Sequence, residues 1–188
     1  MSQIESAQRT LMKKFIIGLL IISLLLPGLA FSLDSRSNPS VVKNFDAKKY
    51  MGRWYEIAHK PNFFQRNCEY STADYTLNEN NSINVFNTCY RDNKIYSSIE
   101  GTATAPDENI STKLKVDFGF FIKGDYWIID LDENYQWAVV SGPRYKSVFI
   151  LSRSTSLDPE VKNRILENLK ENGVKTDEFI FDKYEGQP

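Results

Sequence analysis

Apolar and polar residues alternate along most of the chain in short runs, and the period changes only near the C-terminus. Over residues 70–77, Ala73, Tyr75 and Leu77 fall on one face and Thr72, Asp74 and Thr76 on the other. A period of two marks a half-buried strand. The stretch Asn78-Glu79-Asn80-Asn81-Ser82 suits a turn, because Asn tolerates positive φ. The chain returns through Ile83, Val85 and Asn87, which predicts a hairpin. A run over 96–105 places Ile99, Gly101 and Ala103 together and stops at Pro106. Leu114, Val116 and Phe118 then alternate with Lys113, Lys115 and Asp117. Runs at 54–60, 125–131, 136–141 and 147–153 complete eight predicted strands. After them Val161, Ile165, Leu166 and Leu169 follow helical spacing, with Asp158 as cap, Pro159 at the first position and Gly173 at the end. A short apolar segment at 178–181 is placed to add an edge strand. Strands without intervening helices exclude an alternating α/β fold. The pattern predicts an all-β fold: an eight-stranded antiparallel up-and-down barrel, with one C-terminal helix packed outside. A barrel of that size holds side chains or one small ligand.

The N-terminus follows a different pattern. Lys13 and Lys14 precede an uncharged run of sixteen residues, 15–30. That is short for a membrane span and the right length for a signal peptide. Cleavage after Ser32 or after Ala30 fits the small residues there, and Met12 is an alternative start. The competing reading is an uncleaved anchor. The expected organisation is a signal peptide at 1–32, a flexible polar leader at 33–43 and one barrel domain at 44–184. Export to an oxidising compartment would allow Cys68 and Cys89 to pair.

Composition narrows the chemistry. Twenty-three basic and twenty-four acidic residues give a net charge of −1, without the clustered basic face that nucleic acid demands. One His and two Cys exclude the usual four-ligand His/Cys zinc site and leave a single imidazole for acid–base work. No metal or cofactor is expected. Aromatic residues make up 13% of the chain, which suits sheet surfaces and concave apolar pockets.

Gly52-Arg53-Trp54-Tyr55 opens the first strand and resembles the G-x-W motif of the lipocalins. Ile150-Leu151-Ser152-Arg153 resembles their third motif, whose Arg packs on the Trp. The stretch from Asp130 through Asp132 to Tyr135 resembles the second, without its usual Thr-Asp. Asn44-Phe45-Asp46, Phe64-Gln65-Arg66 and Tyr126-Trp127-Ile128 are similar to the bacterial and apolipoprotein D-like branch. The resemblance covers about residues 41–184 and implies a barrel whose lumen holds one lipophilic ligand, a fatty acid or lysophospholipid. Gly52, Trp54, Asp132, Tyr135 and Arg153 are then structural. Many bacterial members carry a lipid-modified Cys at the cleavage site. No Cys stands there in this chain, so a periplasmic or secreted form is expected, possible association with the outer membrane aside.

Alternation assigns an inward face to Glu56, Ala58, Tyr75, Ile83, Val85, Asn87, Ala103, Leu114, Val116, Phe118, Tyr126 and Ile128. These residues either line a ligand or pack on one another. Ala58, Gly101 and Ala103 are small enough to leave room. Glu56 needs a partner, Lys60 or Lys115, or else receives a ligand headgroup. His59 alternates outward as a surface residue. Phe63 and Phe64 follow the first strand in a loop that is either a lid or membrane-touching rim, or is packed on its own rings. Phe118-Gly119-Phe120-Phe121 is a second candidate for that rim. A turn centred near residue 80 sets Cys89 opposite residue 71 rather than Cys68, so a bridge requires an irregular strand start.

Three functions compete. The first is a carrier of one lipophilic ligand, monomer or homodimer, with transient membrane contact. The second is a lipocalin-type isomerase, against which stand the absence of G-x-S-x-G, G-x-G-x-x-G and a second His. The third is an interaction protein that uses the Phe63–Phe64 rim. A lumen group of shifted pKa beside a second titratable group would favour the enzyme.

Overall fold

Each alternating run forms a strand in the computed structural model, which describes residues 37–107 and 112–184. The segment at 1–32 expected to be a signal peptide and the start of the leader lie outside those residues. The strands are β1 (Gly52–His59), β2 (Tyr70–Leu77), β3 (Ile83–Arg91), β4 (Lys94–Thr104), β5 (Lys113–Asp117), β6 (Lys123–Leu131), β7 (Trp137–Ser141) and β8 (Val148–Ser152). Each pairs antiparallel with the next, and β1 pairs with both β2 and β8, so the eight close into a ring. The alternating pattern had predicted this arrangement.

Two apolar layers follow from the pleat. Trp54, Tyr75, Val85, Leu114, Val116, Ile128, Val140 and Leu151 pack inside the ring. Ile57, Trp137, Val139, Val148 and Ile150 face outward, against Ile165 and Leu169 of helix α2 (Pro159–Glu171) and against Val174 and Phe179 beyond it. Asp158 caps α2 by accepting from the Glu160 and Val161 amides. Gly173 (φ +77°) takes the left-handed turn that follows. A single-turn helix α1 (Ala47–Tyr50), capped by Asp46, precedes β1. One turn is too short to leave a period in the sequence.

The strands are not uniform. The β1–β8 register shifts between Glu56 and Ala58. An extra residue in a strand reverses the facing of everything after it. Glu56 therefore lies beside Leu151 on the inner side, while Ala58 lies beside Ile150 in the layer under α2. His59 then lies beside Phe149 and faces in. This reverses two expectations: Ala58 is not on the inner wall, and His59, only 1% exposed, is not a surface residue.

The bulge sits where β1 leaves β2. Those strands pair only through Gly52–Tyr55, after which Ala58 and His59 pair with Phe181 and Ile180 of β9 (Ile180–Phe181). The C-terminal segment thus fills the gap between β1 and β2. Lys183 donates its amide to Glu69 O at 2.9 Å, and Tyr184 donates its hydroxyl to Glu56 O at 2.8 Å and Ser71 O at 2.7 Å. The described part of the leader is likewise tied down rather than flexible. Pro39 is buried, Val42 N donates to Ile128 O at 3.0 Å, and Thr112 Oγ1 donates to Val42 O at 2.9 Å.

Candidate functional site

The ring is closed at the end where β1 begins. Trp54 donates Nε1 to Tyr50 O at 2.8 Å, and the Arg153 guanidinium lies 3.8 Å from the Trp54 ring centroid. Arg153 also donates to the carbonyls of Arg53 (2.7 Å), Met51 (2.8 Å) and Lys49 (3.0 Å). Gly52 adopts φ +91°, where a side chain is strained, and a Cβ there would stand 3.5 Å from Arg153 Nη1. Asp132 shapes the β6–β7 turn by accepting from the amides of Asn134 and Gln136. Tyr135, at the end of that turn, accepts at its hydroxyl from Asp46 N at 2.8 Å. The five residues singled out by their motifs thus act together on one barrel end.

Above this floor the inner wall is packed. Tyr50 and Tyr75 each share a hydrogen bond with the Tyr126 hydroxyl, at 2.7 and 3.0 Å. Burial raises the pKa of all three, so they stay neutral. Tyr75, Ile83, Val85, Ala103, Leu114, Val116 and Ile128 are buried in one cluster with them, and Phe118 packs against it. Gly101 leaves no space for a ligand, because a Cβ there would lie 2.6 Å from Phe118 Cδ1. That room belongs to the Phe118 ring.

The wall loosens toward the other end. Asn87 stands in register between Ala73 and Ile99 on the inner face. Ile99 is 37% exposed. The Asn87 Oδ1 is buried with no hydrogen-bond partner among the described residues. A buried unpaired acceptor is uncommon and costly.

At the gap sealed by β9, polar groups converge. His59 Nδ1 lies 2.6 Å from Glu56 Oε1 and 3.6 Å from Asp182 Oδ1, and all three side chains are nearly inaccessible. Gln65, from the β1–β2 loop, donates Nε2 to both Glu56 oxygens at 2.8 and 2.9 Å. Ser71 donates its amide to Asp182 Oδ2 at 2.7 Å. Burial alone would lower the His59 pKa, but the neighbouring Asp182 and Glu56 carboxylates carry it up to about 9. Burial pushes Asp182 up to about 7, against the lowering effect of His59. Glu56 is thus paired with His59, not with Lys60 or Lys115. Lys60 Nζ donates to Tyr145 O, and Lys115 pairs with Asp125.

This is the shifted group beside a second titratable one that would favour an enzyme, so its chemistry matters. A carboxylate on Nδ1 is half of a nucleophile-activating dyad. The other half is missing: Nε2 is buried and has no hydroxyl partner among the described residues. The ligand atoms of Glu56, His59 and Asp182 lie within 4.8 Å of one another, as a divalent ion would need. Glu56 already occupies Nδ1, however, and Nε2 lacks the acceptor that fixes a metal-bound imidazole. The cluster is an ion-pair lock that joins β1, the loop carrying Gln65 and the C-terminal segment. The sequence missed it because the bulge inverts His59 and because Asp182 lies 123 positions further along the chain.

The disulfide Cys68–Cys89 is present, with Cα atoms 5.3 Å apart. Ser71, not Cys68, is the register partner of Cys89. Cys68 reaches the bridge from an irregular turn before β2 begins at Tyr70. Phe63 and Phe64 extend from the same loop, 72% and 71% exposed, with their ring centroids 5.7 Å apart. Antiparallel order places this loop, the β3–β4 and β5–β6 turns and the β7–β8 connection at the mouth, opposite Trp54.

Residues 45–183 match the lipocalin-like domain family. The outer membrane lipoprotein Blc of Escherichia coli (strain K12) is 37% identical over 159 residues, 81% of this chain and 90% of that protein. Apolipoprotein D of Bos taurus is 32% identical over 160 residues, covering 81% and 84%. Among solved structures, insecticyanin from the tobacco hornworm Manduca sexta superposes with a TM-score of 0.64 at 20% identity, covering 80% and 85%. The motif geometry, the closed ring with its outer helix and these matches lead to one conclusion: the chain belongs to the lipocalin family.

Proposed function

We propose that this protein is an exported carrier that holds one lipophilic ligand, a fatty acid or lysophospholipid, in the mouth half of its barrel. The observation that carries this reading is the asymmetry of the inner wall. The floor half is filled by rings, whereas toward the mouth the apolar wall is partly exposed at Ile99 and offers an unpaired acceptor at Asn87. An acyl chain gains about 0.8 kcal/mol per buried methylene on such a wall, and Asn87 Oδ1 would accept from a hydroxyl or ammonium headgroup. In this reading Ile99, Asn87 and Phe118 contact the ligand, while Tyr75 and Tyr126 form the bottom of its chamber. Export is supported by the N-terminal pattern and by the name of the bacterial relative, an outer membrane lipoprotein. Binding rather than catalysis is supported by the relatives and by the incomplete dyad at His59. Transient membrane contact belongs to the same reading, since the ligand resides there.

Native mass spectrometry of residues 33–188 from the exporting cell, followed by lipid extraction, tests the proposal. A co-purified species of about 250–550 Da, sized to a chamber for one small ligand, is the expected result. An apo spectrum that also fails to take up added fatty acid or lysophospholipid would sink it. Asn87→Leu is expected to discriminate further. It should weaken lysophospholipid binding about tenfold, the worth of one polar contact, and leave a simple fatty acid nearly unaffected.

A further inference from the structure

Three mouth elements expose large apolar side chains that the barrel itself does not use. The β1–β2 loop presents Phe63 and Phe64. The hairpin of β3 and β4 presents Ile95 and Tyr96, 67% and 52% exposed. The β5–β6 turn presents Phe120 and Phe121, 95% and 100% exposed. Asn67 Nδ2 donates to Tyr96 Oη at 3.3 Å, which joins the first two elements. Scattered apolar residues are ordinary on a surface, but a cluster on one end of a molecule marks an interaction site.

The β5–β6 turn adds an independent observation. Gly119, Phe120 and Phe121 all have positive φ, at 75°, 45° and 66°. Glycine enters that region freely, whereas a bulky side chain there is strained against its own backbone. Two phenylalanines are thus held in strained backbone with both rings in water. Neither local stability nor solubility accounts for them.

Charge identifies the occupant. Arg66 lies 3.9 Å from the Phe63 ring centroid and Arg91 5.9 Å from that of Tyr96. Lys94, Arg144 and Lys146 are also exposed at this end. These cations outnumber the exposed carboxylates of Glu69, Asp92 and Asp117, and Asp117 is taken by Lys123 at 2.6 Å. A second copy docking mouth to mouth would bring these cations against their own equivalents. A bilayer instead receives aromatic rings at its interface and cations at its phosphates.

We propose that the mouth is a docking surface for an anionic phospholipid bilayer, into which Phe63, Phe64, Phe120 and Phe121 insert while Arg66, Arg91 and Lys94 meet the headgroups. The inference rests on the carrier reading only for its purpose, since it faces the ligand chamber toward lipid.

Co-sedimentation with phosphatidylglycerol–phosphatidylcholine vesicles, compared with phosphatidylcholine alone, tests it at low and high salt. The unmodified protein should bind the anionic vesicles more tightly and lose that preference at high salt. Phe120→Ser with Phe121→Ser should weaken binding at least about tenfold, from the loss of two buried rings. Arg91→Glu with Lys94→Glu should abolish the anionic preference. Vesicle binding that is absent, or undiminished in the Phe120/Phe121 variant, would overturn the proposal. So would a concentration-dependent dimer abolished by the same substitutions without vesicle binding, which would assign the rim to a second copy. Uptake of added lysophospholipid by the Phe120/Phe121 variant separates the two readings. Retained uptake with lost vesicle binding supports the rim alone, and vesicle binding without uptake in the unmodified protein overturns the carrier alone.

Discussion

His59 is the only imidazole in the chain, and its environment sets the protein's response to pH. Its folded pKa, about 9, lies above the ordinary 6.5. Its contribution to stability is therefore complete below pH 6.5 and lost as pH rises through 9. Asp182 is also raised, from 3.8 to about 7, so the folded state again holds the proton more tightly and again loses stability as pH rises, here between about 4 and 7. The two effects add in sign: urea unfolding should show stability declining from pH 5 to pH 9. Replacing His59 with Leu leaves two buried carboxylates unpaired. The expected penalty is about 3–5 kcal/mol at pH 8, shrinking at pH 5 as the carboxyls take up protons. A penalty equal at both pH values would show that His59 acts through packing alone.

At the scale of elements, the legible and illegible parts of the fold have a common cause. Strands whose outer face is partly or fully wet, such as β3 and β5, display their parity openly, and Ile83, Val85, Leu114 and Val116 lie in the inner cluster. In β1 the run Trp54-Tyr55-Glu56-Ile57-Ala58-His59 is buried on both faces after Tyr55, because α2 and β9 cover the outside. Two buried faces erase the alternation, so a bulge there leaves no trace and Ala58 and His59 exchange sides. The room expected at Gly101 failed differently, since a glycine's vacancy says nothing about which neighbour fills it. Gly101→Ala would drive a methyl group into Phe118 and, at 2.8 Å, into Asp117 O. Overpacking of this kind should cost about 1–3 kcal/mol in thermal or urea unfolding. The same displacement would loosen the adjoining β5–β6 turn. The disulfide is an element-scale tie as well. Cys68 and Cys89 are 21 residues apart, and removing the bridge should destabilise the protein by about 3 kcal/mol through regained chain entropy. The larger local effect should fall on the loop carrying Phe63 and Phe64, visible as faster amide exchange there than in β5 or β7.

For the molecule as a whole, the ring closes at the floor through β1 and β2, but its wall is sealed toward the mouth only when the far end of the chain returns. β1 and β2 pair for four residues at the floor and then separate, and β9 with its following residues supplies the missing seam. Asp182 N donates to Ile57 O at 3.1 Å and Lys183 N to Glu69 O, while Ser71 N and the carbonyls of Glu56 and Ser71 depend on Asp182 and Tyr184. The sequence showed an edge strand at this place but not its role, because a two-residue strand carries no period and its partners lie more than a hundred positions away. Ending the chain after Phe179 keeps the outer layer under α2 and removes the seam alone. Beyond the β1–β9 ladder itself, five hydrogen bonds would go, the one from Ser71 N to the Asp182 carboxylate among them. At about 0.5–1.5 kcal/mol each, the expected loss is about 3–7 kcal/mol. Protection from amide exchange should collapse at Ser71 and persist at Val116 in β5. Uniform loss of protection would show that the C-terminal segment holds the whole ring, whereas unchanged protection at Ser71 would show that β1 and β2 close without it. With the seam open, the mouth half of the lumen gains a second entrance through the wall. A captured acyl chain should then leave faster from the shortened protein than from the full chain, even where the floor of the barrel stays intact.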